Sequence, residues 1–260
     1  MTRIVAVANQ KGGVGKTTTS VNLAASLAAA HRRVLLADLD PQGNATMGSG
    51  INKRTLSHTV YHVLLGVQPV SAVRITETKG AYHMLPSNRE LAGAEVEMVD
   101  LGRREHRLKT ALEEVHEDYD FIILDCPPAL NLLTVNALTA AHAVMIPMQC
   151  EYYALEGLSD LVGTIKKVRA HLNPVLEIDG LLRTMYDPRN TLAHHVSDQL
   201  KQHFGSKVFN TVIPRNVRLA EAPSYGLPAS VFDRQCKGTL AYLALAGEVL
   251  GRLEAARQGG

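Results

Sequence analysis

Short apolar runs recur along the 260-residue chain and are separated by longer segments with helical character. Seven runs have the length and near-continuous hydrophobicity of buried strands. They are Arg3–Ala8, Arg33–Asp38, Tyr82–Leu85, Phe121–Asp125, Ala143–Met148, Gly180–Met185 and Lys207–Ile213. Buried strands that alternate with helices predict an α/β fold: a doubly wound, mostly parallel sheet flanked by helices on both faces. Ligands of such folds bind outside the carboxyl ends of the strands.

The length and composition favour a single domain over residues 1–260. The hydrophobic fraction is 46%, which is near average, and α/β folds of this size commonly stay undivided. The chain contains no apolar run long enough to cross a bilayer and opens directly on a strand, so we expect a cytoplasmic protein. A flexible tail is expected only at Gln258–Gly260.

A glycine-rich octet follows the first strand and precedes a helical stretch, Thr18–Ala30. The octet consists of Lys11, Gly12, Gly13, Val14, Gly15, Lys16, Thr17 and Thr18. Its glycines permit the positive φ values and the close backbone approach that a polyphosphate needs, and the helix N-terminus directs its dipole at the same point. Lys16 is placed to reach the β and γ phosphates, and the Thr17 hydroxyl to bind Mg²⁺. The octet therefore predicts a nucleoside triphosphate site.

Carboxylates end two other predicted strands. Asp38 and Asp40 stand at the end of the second strand, and Asp125 follows four apolar residues before the pair Pro127-Pro128. Buried carboxylates are costly without an opposing cation, which Mg²⁺ bound to a triphosphate would supply. Asp125 fits a Walker B element that holds Mg²⁺ through a water.

Other metal and redox chemistry finds little support. Cys126, Cys150 and Cys236 lie far apart, which predicts reduced thiols in or near the core, with Cys126 in a packing role. The pairs His58/His62 and His194/His195 lack the carboxylates that would complete a site.

Lys11, which precedes the first glycine, distinguishes the octet from an ordinary phosphate loop. The pattern resembles the deviant Walker A family, Lys-Gly-Gly-x-Gly-Lys-Thr-Thr/Ser, which includes the ParA/Soj partition ATPases, MinD and the nitrogenase iron protein. The resemblance implies a P-loop ATPase with ATP and Mg²⁺ as cofactors that forms a sandwich homodimer when ATP is bound. Lys11 would then act on the partner's phosphates, and Asp40 would orient the attacking water near the metal. Asp38 would support the loop or the metal shell.

Two later segments resemble chromosomal ParA/Soj sequences in particular. They are Thr184–Asn190 and Ile213–Pro228. The resemblance implies that Met185, Pro214 and Arg215 flank the adenine. It also implies that Arg189 and Arg218 bind double-stranded DNA without sequence preference. Lys201, Lys207, Arg234 and Lys237 are further candidates, because the net charge of only +2 requires a local basic patch.

The resemblance implies a DNA segregation ATPase that associates with the nucleoid, hydrolyses ATP slowly and is stimulated by a ParB-type centromere-binding partner. The alternative is a membrane-cycling regulator like MinD, but Leu250–Arg257 lacks the basic, bulky amphipathic character of a membrane anchor. A cluster-carrying reductase component is disfavoured by the cysteine positions. An operator-specific DNA-binding module is not expected, since the first strand begins at residue 3.

Overall fold

The computed structural model describes residues 2–152 and 154–258 and contains one seven-stranded sheet. Its strands follow the order β3-β2-β4-β1-β5-β6-β7, and every pair of neighbours is parallel. The strands are β1 Arg3–Val7, β2 Val34–Asp38, β3 His83–Leu85, β4 Phe121–Asp125, β5 Ala143–Gln149, β6 Glu177–Tyr186 and β7 Val208–Pro214. All seven predicted strands are present.

Helices connect the strands within the described part of the chain. The α-helices are α1 Lys16–Ala29, α2 Asn44–Gly48, α3 Val60–Leu64, α4 Val70–Val73, α5 Leu91–Glu97, α6 Arg107–Glu113, α7 Leu132–Ala140, α8 Ala154–His171, α9 Thr191–Phe204, α10 Val217–Glu221, α11 Ala229–Phe232 and α12 Lys237–Gln258. Short 3₁₀ turns occupy Met98–Asp100, Arg104–His106, His116–Asp118, Gly205–Lys207 and Ala222–Tyr225. Of the predicted tail, Gln258 ends α12, and residues 259 and 260 lie outside the described residues.

The strands send alternate side chains into two separate hydrophobic cores. Along β1, Ile4 and Ala6 belong to the core shared with α6, α7, α8 and α9, whereas Val5 and Val7 belong to the core shared with α1 and α12. Because both faces of the sheet are covered, the prediction of a doubly wound α/β fold is confirmed.

Strand β6 differs most from its predicted span, since it begins at Glu177 and not at Gly180. Its first residues are polar, yet their backbone continues the ladder with β5, where Ala143 pairs with Glu177 and Val144 with Ile178. Asp179 is accommodated by an ion pair with Arg3 at 3.4 Å. Backbone pairing, which no apolar pattern reports, therefore extends the strand.

The direction in which successive strands are added to the sheet changes at β1. The connection that follows β1 leads to β2 on one side, and the connection that follows β4 leads to β5 on the other side. A crevice forms at such a switch point, outside the carboxyl ends of the strands. The octet follows β1 directly and lies at this crevice.

Candidate active site

The phosphate loop adopts a backbone conformation that only glycine adopts easily. Gly13 and Gly15 have φ values of 73° and 89°, and Gly15 is the N-cap of α1. The loop is fixed to neighbouring strands, because the Thr184 hydroxyl donates to the Val14 carbonyl at 2.7 Å and the Asn9 amide donates to the Pro147 carbonyl at 2.8 Å. The amide groups at the start of α1 thus form an anion site that is fixed before any ligand binds.

Lys16 is buried within this loop. Its ammonium donates to the Lys11 carbonyl at 3.0 Å, and within the described residues no carboxylate lies within ion-pair distance of it. Burial lowers the pKa of Lys16, and the charges of Asp125 and Asp40 offset part of that effect. A buried cation that is bonded only to a carbonyl fits the role of phosphate ligand.

Two fully buried carboxylates lie side by side at the ends of β2 and β4. Asp38 and Asp125 are register neighbours on β2 and β4. Asp125 accepts hydrogen bonds at 2.8 Å from the hydroxyls of Thr17 and Ser20. Burial raises the pKa of both carboxyls, to about 6 for Asp38 and about 7 for Asp125. The charge of Asp38 raises the pKa of Asp125 further, and the charge of Asp40 contributes to both shifts.

The Asp38 carboxylate accepts hydrogen bonds from the Thr46 amide and hydroxyl, both at 2.8 Å, and from the Asp40 amide at 3.1 Å. Asp125 and the Thr17 hydroxyl are therefore the oxygen donors that fit Mg²⁺.

Asp40 lies at the edge of the buried carboxylate pair, in a loop with a well-defined shape. Its carboxylate accepts a hydrogen bond from the Gln42 amide at 2.8 Å, and its carbonyl accepts one from the Ser87 hydroxyl at 2.9 Å. Gly43 closes the turn at φ 61°, and a Cβ there would lie 2.8 Å from the Ser87 carbonyl oxygen. The loop therefore holds Asp40 close enough to Asp38 and Asp125 for its charge to raise the pKa of both carboxyls.

The Lys11 side chain extends from the phosphate loop to Glu151, which follows β5. Its ammonium forms an ion pair with Glu151 at 2.5 Å, and about half of each side chain is exposed. Such an exposed pair is worth at most about 1 kcal/mol, so Lys11 can leave it at little cost.

The residues predicted to flank adenine lie together beside the phosphate loop. Met185, Pro214 and Arg215 line a cleft of about 210 Å³ that also reaches Gly15 and Thr18. Met185 has a φ of 49°, which is unusual for a residue with a long side chain, and its sulfur lies 3.0 Å from the Gln149 amide. The end of β6 is thus held in a constrained conformation where it meets the cleft.

The two arginines predicted to bind DNA are not part of this cluster. Arg189 forms a two-pronged ion pair with Asp187 at 3.0 and 2.8 Å, and 88% of its side chain is exposed. Arg218 pairs with Glu221 at 2.9 Å and with Asp233 at 3.4 Å. Both follow the carboxyl ends of neighbouring strands, β6 and β7. Lys207, in contrast, precedes β7 and lies at the opposite end of the sheet.

Known proteins are similar to this chain in sequence and in fold. A family model described as an AAA domain matches residues 2–178. The sporulation initiation inhibitor protein Soj of Bacillus subtilis is 53% identical over 249 residues, which cover 96% of this chain and 98% of that protein. The chromosome partitioning protein ParA of Caulobacter vibrioides is 50% identical over 252 residues, which cover 96% of this chain and 94% of that protein. The chain belongs to the ParA/Soj family of chromosome-partitioning ATPases.

A solved structure extends the similarity to three dimensions. Cobyrinic acid a,c-diamide synthase from Mycobacterium smegmatis, with a bound ATP analog and magnesium, has a TM-score of 0.87 and 39% identity. The alignment covers 98% of this chain and 97% of that one. The ParA/Soj resemblance that the motifs indicated is therefore confirmed over nearly the whole chain, whereas the roles of individual residues stay predictions.

Several residues of the site were not predicted from the sequence. Ser20 binds Asp125 from the second turn of α1, Thr184 anchors the phosphate loop, and Glu151 holds Lys11. The only local signal is the spacing of Ser20, which lies three residues after Thr17 and so shares its helix face. Thr184 and Glu151 meet the loop across 170 and 140 residues of chain, and no local pattern reports such contacts.

Proposed function

We propose that this chain binds ATP and Mg²⁺ and acts in the cytoplasm as a DNA segregation ATPase, with residues 1–260 forming a single domain. The observation that carries the proposal is the convergence, at the carboxyl edge of the sheet, of the glycine loop, the buried Lys16 and the carboxylates Asp38 and Asp125. These groups supply the cation, the amide donors and the carboxylate oxygens that a nucleoside triphosphatase needs.

Each residue has a chemical role in this proposal. Lys16 binds the β and γ phosphates. Thr17 and Asp125 would hold the Mg²⁺ ion. Asp40 orients the attacking water, and in the absence of DNA its carboxylate accepts a hydrogen bond from the Gln42 amide at 2.8 Å. When bound, Mg²⁺ would offset charge on the phosphate oxygens.

Lys11 completes the site from a second copy of the chain. Within the described residues, its ammonium has one carboxylate partner, Glu151, and this ion pair is exposed. In a face-to-face dimer it would leave Glu151 and bind the partner's phosphates, so ATP would favour the dimer. Turnover is slow in this proposal because a ParB-type partner is needed to complete the transition-state environment.

DNA binding follows from dimerisation. One protomer presents few cations after the carboxyl ends of β6 and β7, but a two-fold pair presents both sets. DNA and ATP both prefer the dimer, so each raises the affinity for the other, and the ATP-bound form associates with the nucleoid.

The proposal is tested by ATP turnover with random-sequence DNA and a basic N-terminal peptide of a candidate ParB partner, added separately and together. We expect stimulation that requires both. Asp40→Ala should accumulate an ATP-bound, DNA-bound dimer, whereas Lys11→Ala should bind ATP without dimerising. Turnover that is indifferent to DNA and peptide, or a Lys11→Ala variant that still dimerises, would contradict the proposal.

A MinD-like membrane cycle is the alternative, and the packing of α12 argues against it. Leu250 and Leu253, the bulky apolar residues of its last turns, are partly buried and pack against the core, whereas the apolar residues of an anchor would face solvent. Within residues 2–152 and 154–258, none of the helices has the length and hydrophobicity needed to cross a membrane. Co-sedimentation with anionic liposomes and ATP separates the two functions, and we expect the protein to stay in the supernatant.

A further inference from the structure

A second basic surface lies outside the nucleotide site, near the carboxyl ends of β2 and β3. It is a groove of about 490 Å³, here called the basic groove, and is lined by Lys53, Arg54, Asn88, Arg89 and Glu90. Lys53 and Arg54 come from the connection after α2, and the other three residues come from the connection after β3.

The groove carries an excess of positive charge that the protein itself does not neutralise. Three of its residues are cationic, and Arg54 and Arg89 are exposed. Its one carboxylate, Glu90, accepts a hydrogen bond from the Asn88 amide at 3.2 Å. Across the described residues, no carboxylate lies within 4.0 Å of any of the three cations. Arg189 and Arg218, in contrast, are both paired with carboxylates.

Both walls of the basic groove connect to the loop that carries Asp40. On one wall, the Lys53 ammonium donates to the Gln42 carbonyl, and the Gln42 amide donates to the Asp40 carboxylate at 2.8 Å. On the other wall, Asn88 follows Ser87, whose hydroxyl donates to the Asp40 carbonyl. The Lys53 side chain also packs on Gly43, where a Cβ would lie 2.9 Å from Lys53 Cδ. A ligand in the groove therefore acts on the Asp40 loop through two short hydrogen-bonded paths.

We propose that the basic groove binds the phosphodiester backbone of DNA, and that Lys53 transmits this binding to the Asp40 loop. This inference rests on the proposed DNA-dependent ATPase function and adds to it a second contact surface and a route of regulation. Guanidinium groups bind phosphate oxygens in two-pronged geometry, and contacts of this kind carry no sequence preference, as the proposed function requires.

Lys53 is the residue that links DNA binding in the groove to the position of Asp40. Without DNA its ammonium is held by the Gln42 carbonyl, which supports the turn that fixes Asp40. A phosphate in the groove competes for the same ammonium, because a charge-assisted hydrogen bond is stronger than one to a neutral carbonyl. DNA binding would then loosen the Gln42–Gly43 turn and change the position of Asp40.

The first test removes the guanidinium groups and measures binding of a random-sequence duplex with ATP present. We expect Arg54→Ala with Arg89→Ala to lower affinity at least about tenfold at 0.1 M salt and to reduce the slope of log K against log salt by about 2 per protomer. Lys166→Ala with Lys167→Ala removes equal charge from exposed positions on α8 and serves as the matched control. Equal losses in the two double variants would overturn the inference. An unchanged affinity for the duplex together with a lost affinity for polyglutamate in the groove variant would also overturn it, since the groove would then fit an acidic polypeptide and not DNA.

The second test uses Lys53→Met, which keeps the apolar stem on Gly43 and removes the ammonium. With the ParB-type peptide present, we expect ATP turnover of this variant to be severalfold higher than that of the unaltered protein before DNA is added, and to respond little to added DNA. Low turnover with an undiminished response to DNA would overturn the link to Asp40. If the unaltered protein binds no DNA with ATP, the proposed function fails together with this inference. If the unaltered protein binds DNA and the groove variants bind it with the same affinity, this inference fails while the proposed function stands.

Discussion

At the scale of single residues, the candidate site contains charges that are unfavourable without a ligand. Asp38 and Asp125 are fully buried side by side, and the nearest cation in the loop, Lys16, donates to a carbonyl. A divalent cation bound at Asp125 would offset the desolvation cost of this carboxylate, so the burial of Asp125 favours metal binding.

The raised pKa of Asp125 predicts a pH-dependent stability. Between the ordinary carboxyl pKa near 4 and about 7, the native state binds more protons than the unfolded chain, so nucleotide-free protein loses stability as pH rises through this window. Asp125→Asn removes the charge but keeps an acceptor for Thr17 or Ser20. We expect it to exceed the unaltered protein in unfolding free energy by a margin that is larger at pH 8 than at pH 5, on the order of a few kcal/mol.

Urea denaturation at both pH values measures this margin. Asp160→Asn, at an exposed carboxylate on α8, is the control and should show no such trend. Mg²⁺ with ATP should stabilise the unaltered protein strongly and Asp125→Asn weakly. A margin that is constant with pH would mean that the Asp125 carboxyl titrates normally in the folded protein.

Asp187 is predicted to restrain Arg189. The two-pronged pair lowers the pKa of Asp187 to about 2, so the carboxylate is charged at any working pH and competes with DNA for the guanidinium. Because exposed pairs are worth at most about 1 kcal/mol, Asp187→Asn should raise DNA affinity by up to about fivefold, and Arg189→Ala should lower it. Fluorescence anisotropy with a labelled duplex and ATP distinguishes these outcomes. Unchanged affinity in Asp187→Asn would remove Arg189 from the DNA surface.

At the scale of elements, a buried arginine holds the β6, β7 and α9 elements together. Arg183 donates to the Ser197 hydroxyl at 2.8 Å and to the carbonyls of Phe209 and Asn210 at 2.6 and 3.0 Å. It lies two residues before Met185, at the strand pair whose ends form the adenine cleft. The hydrogen bonds of Arg183 therefore hold in place the two strands whose ends line that cleft.

Arg183→Ala should destabilise the protein by about 3 kcal/mol or more, since it opens a cavity and leaves two carbonyls without a donor. Ser197→Ala, which removes only one partner, should cost about 1 kcal/mol. Urea midpoints give both values. ATP affinity, measured well below the unfolding transition, should fall in Arg183→Ala and hold in Ser197→Ala. If ATP affinity is equal in the two variants, Arg183 stabilises the fold without shaping the cleft.

The elements also explain what the sequence can and cannot predict. The seven strands were predictable because their buried residues form near-continuous apolar runs, and the phosphate loop because its glycines and lysines are adjacent in the chain. The early start of β6 at Glu177 was not, since polar residues continue the ladder there. Thr184 and Glu151 were missed for a related reason: their contacts with the loop depend on the order of strands in the sheet, which local patterns do not encode.

At the scale of the whole molecule, all the proposed functions use one edge of the sheet. The phosphate loop follows β1, the proposed metal site lies at the ends of β2 and β4, the cleft proposed for adenine lies after β6 and β7, and the basic groove lies after β2 and β3. Parallel strands place all their carboxyl ends at this edge. A second copy that covers the edge can therefore complete the nucleotide site and align two sets of DNA-binding cations in one step.

This arrangement predicts how DNA affinity depends on salt. If Arg54, Arg89, Arg189 and Arg218 of each protomer contact phosphates, the ATP-bound dimer makes about eight contacts, and log K should fall against log salt with a slope near −7. Lys11→Ala, which we expect to remain monomeric with ATP, should show about half that slope and a much weaker affinity. Duplex binding between 50 and 300 mM salt, with the oligomeric state followed by light scattering in the same samples, measures both quantities. The Asp40→Ala variant, held as a dimer, should match the slope of the unaltered protein. Equal slopes for monomer and dimer would mean that the DNA-binding surface is complete within one protomer and that dimerisation regulates some other step.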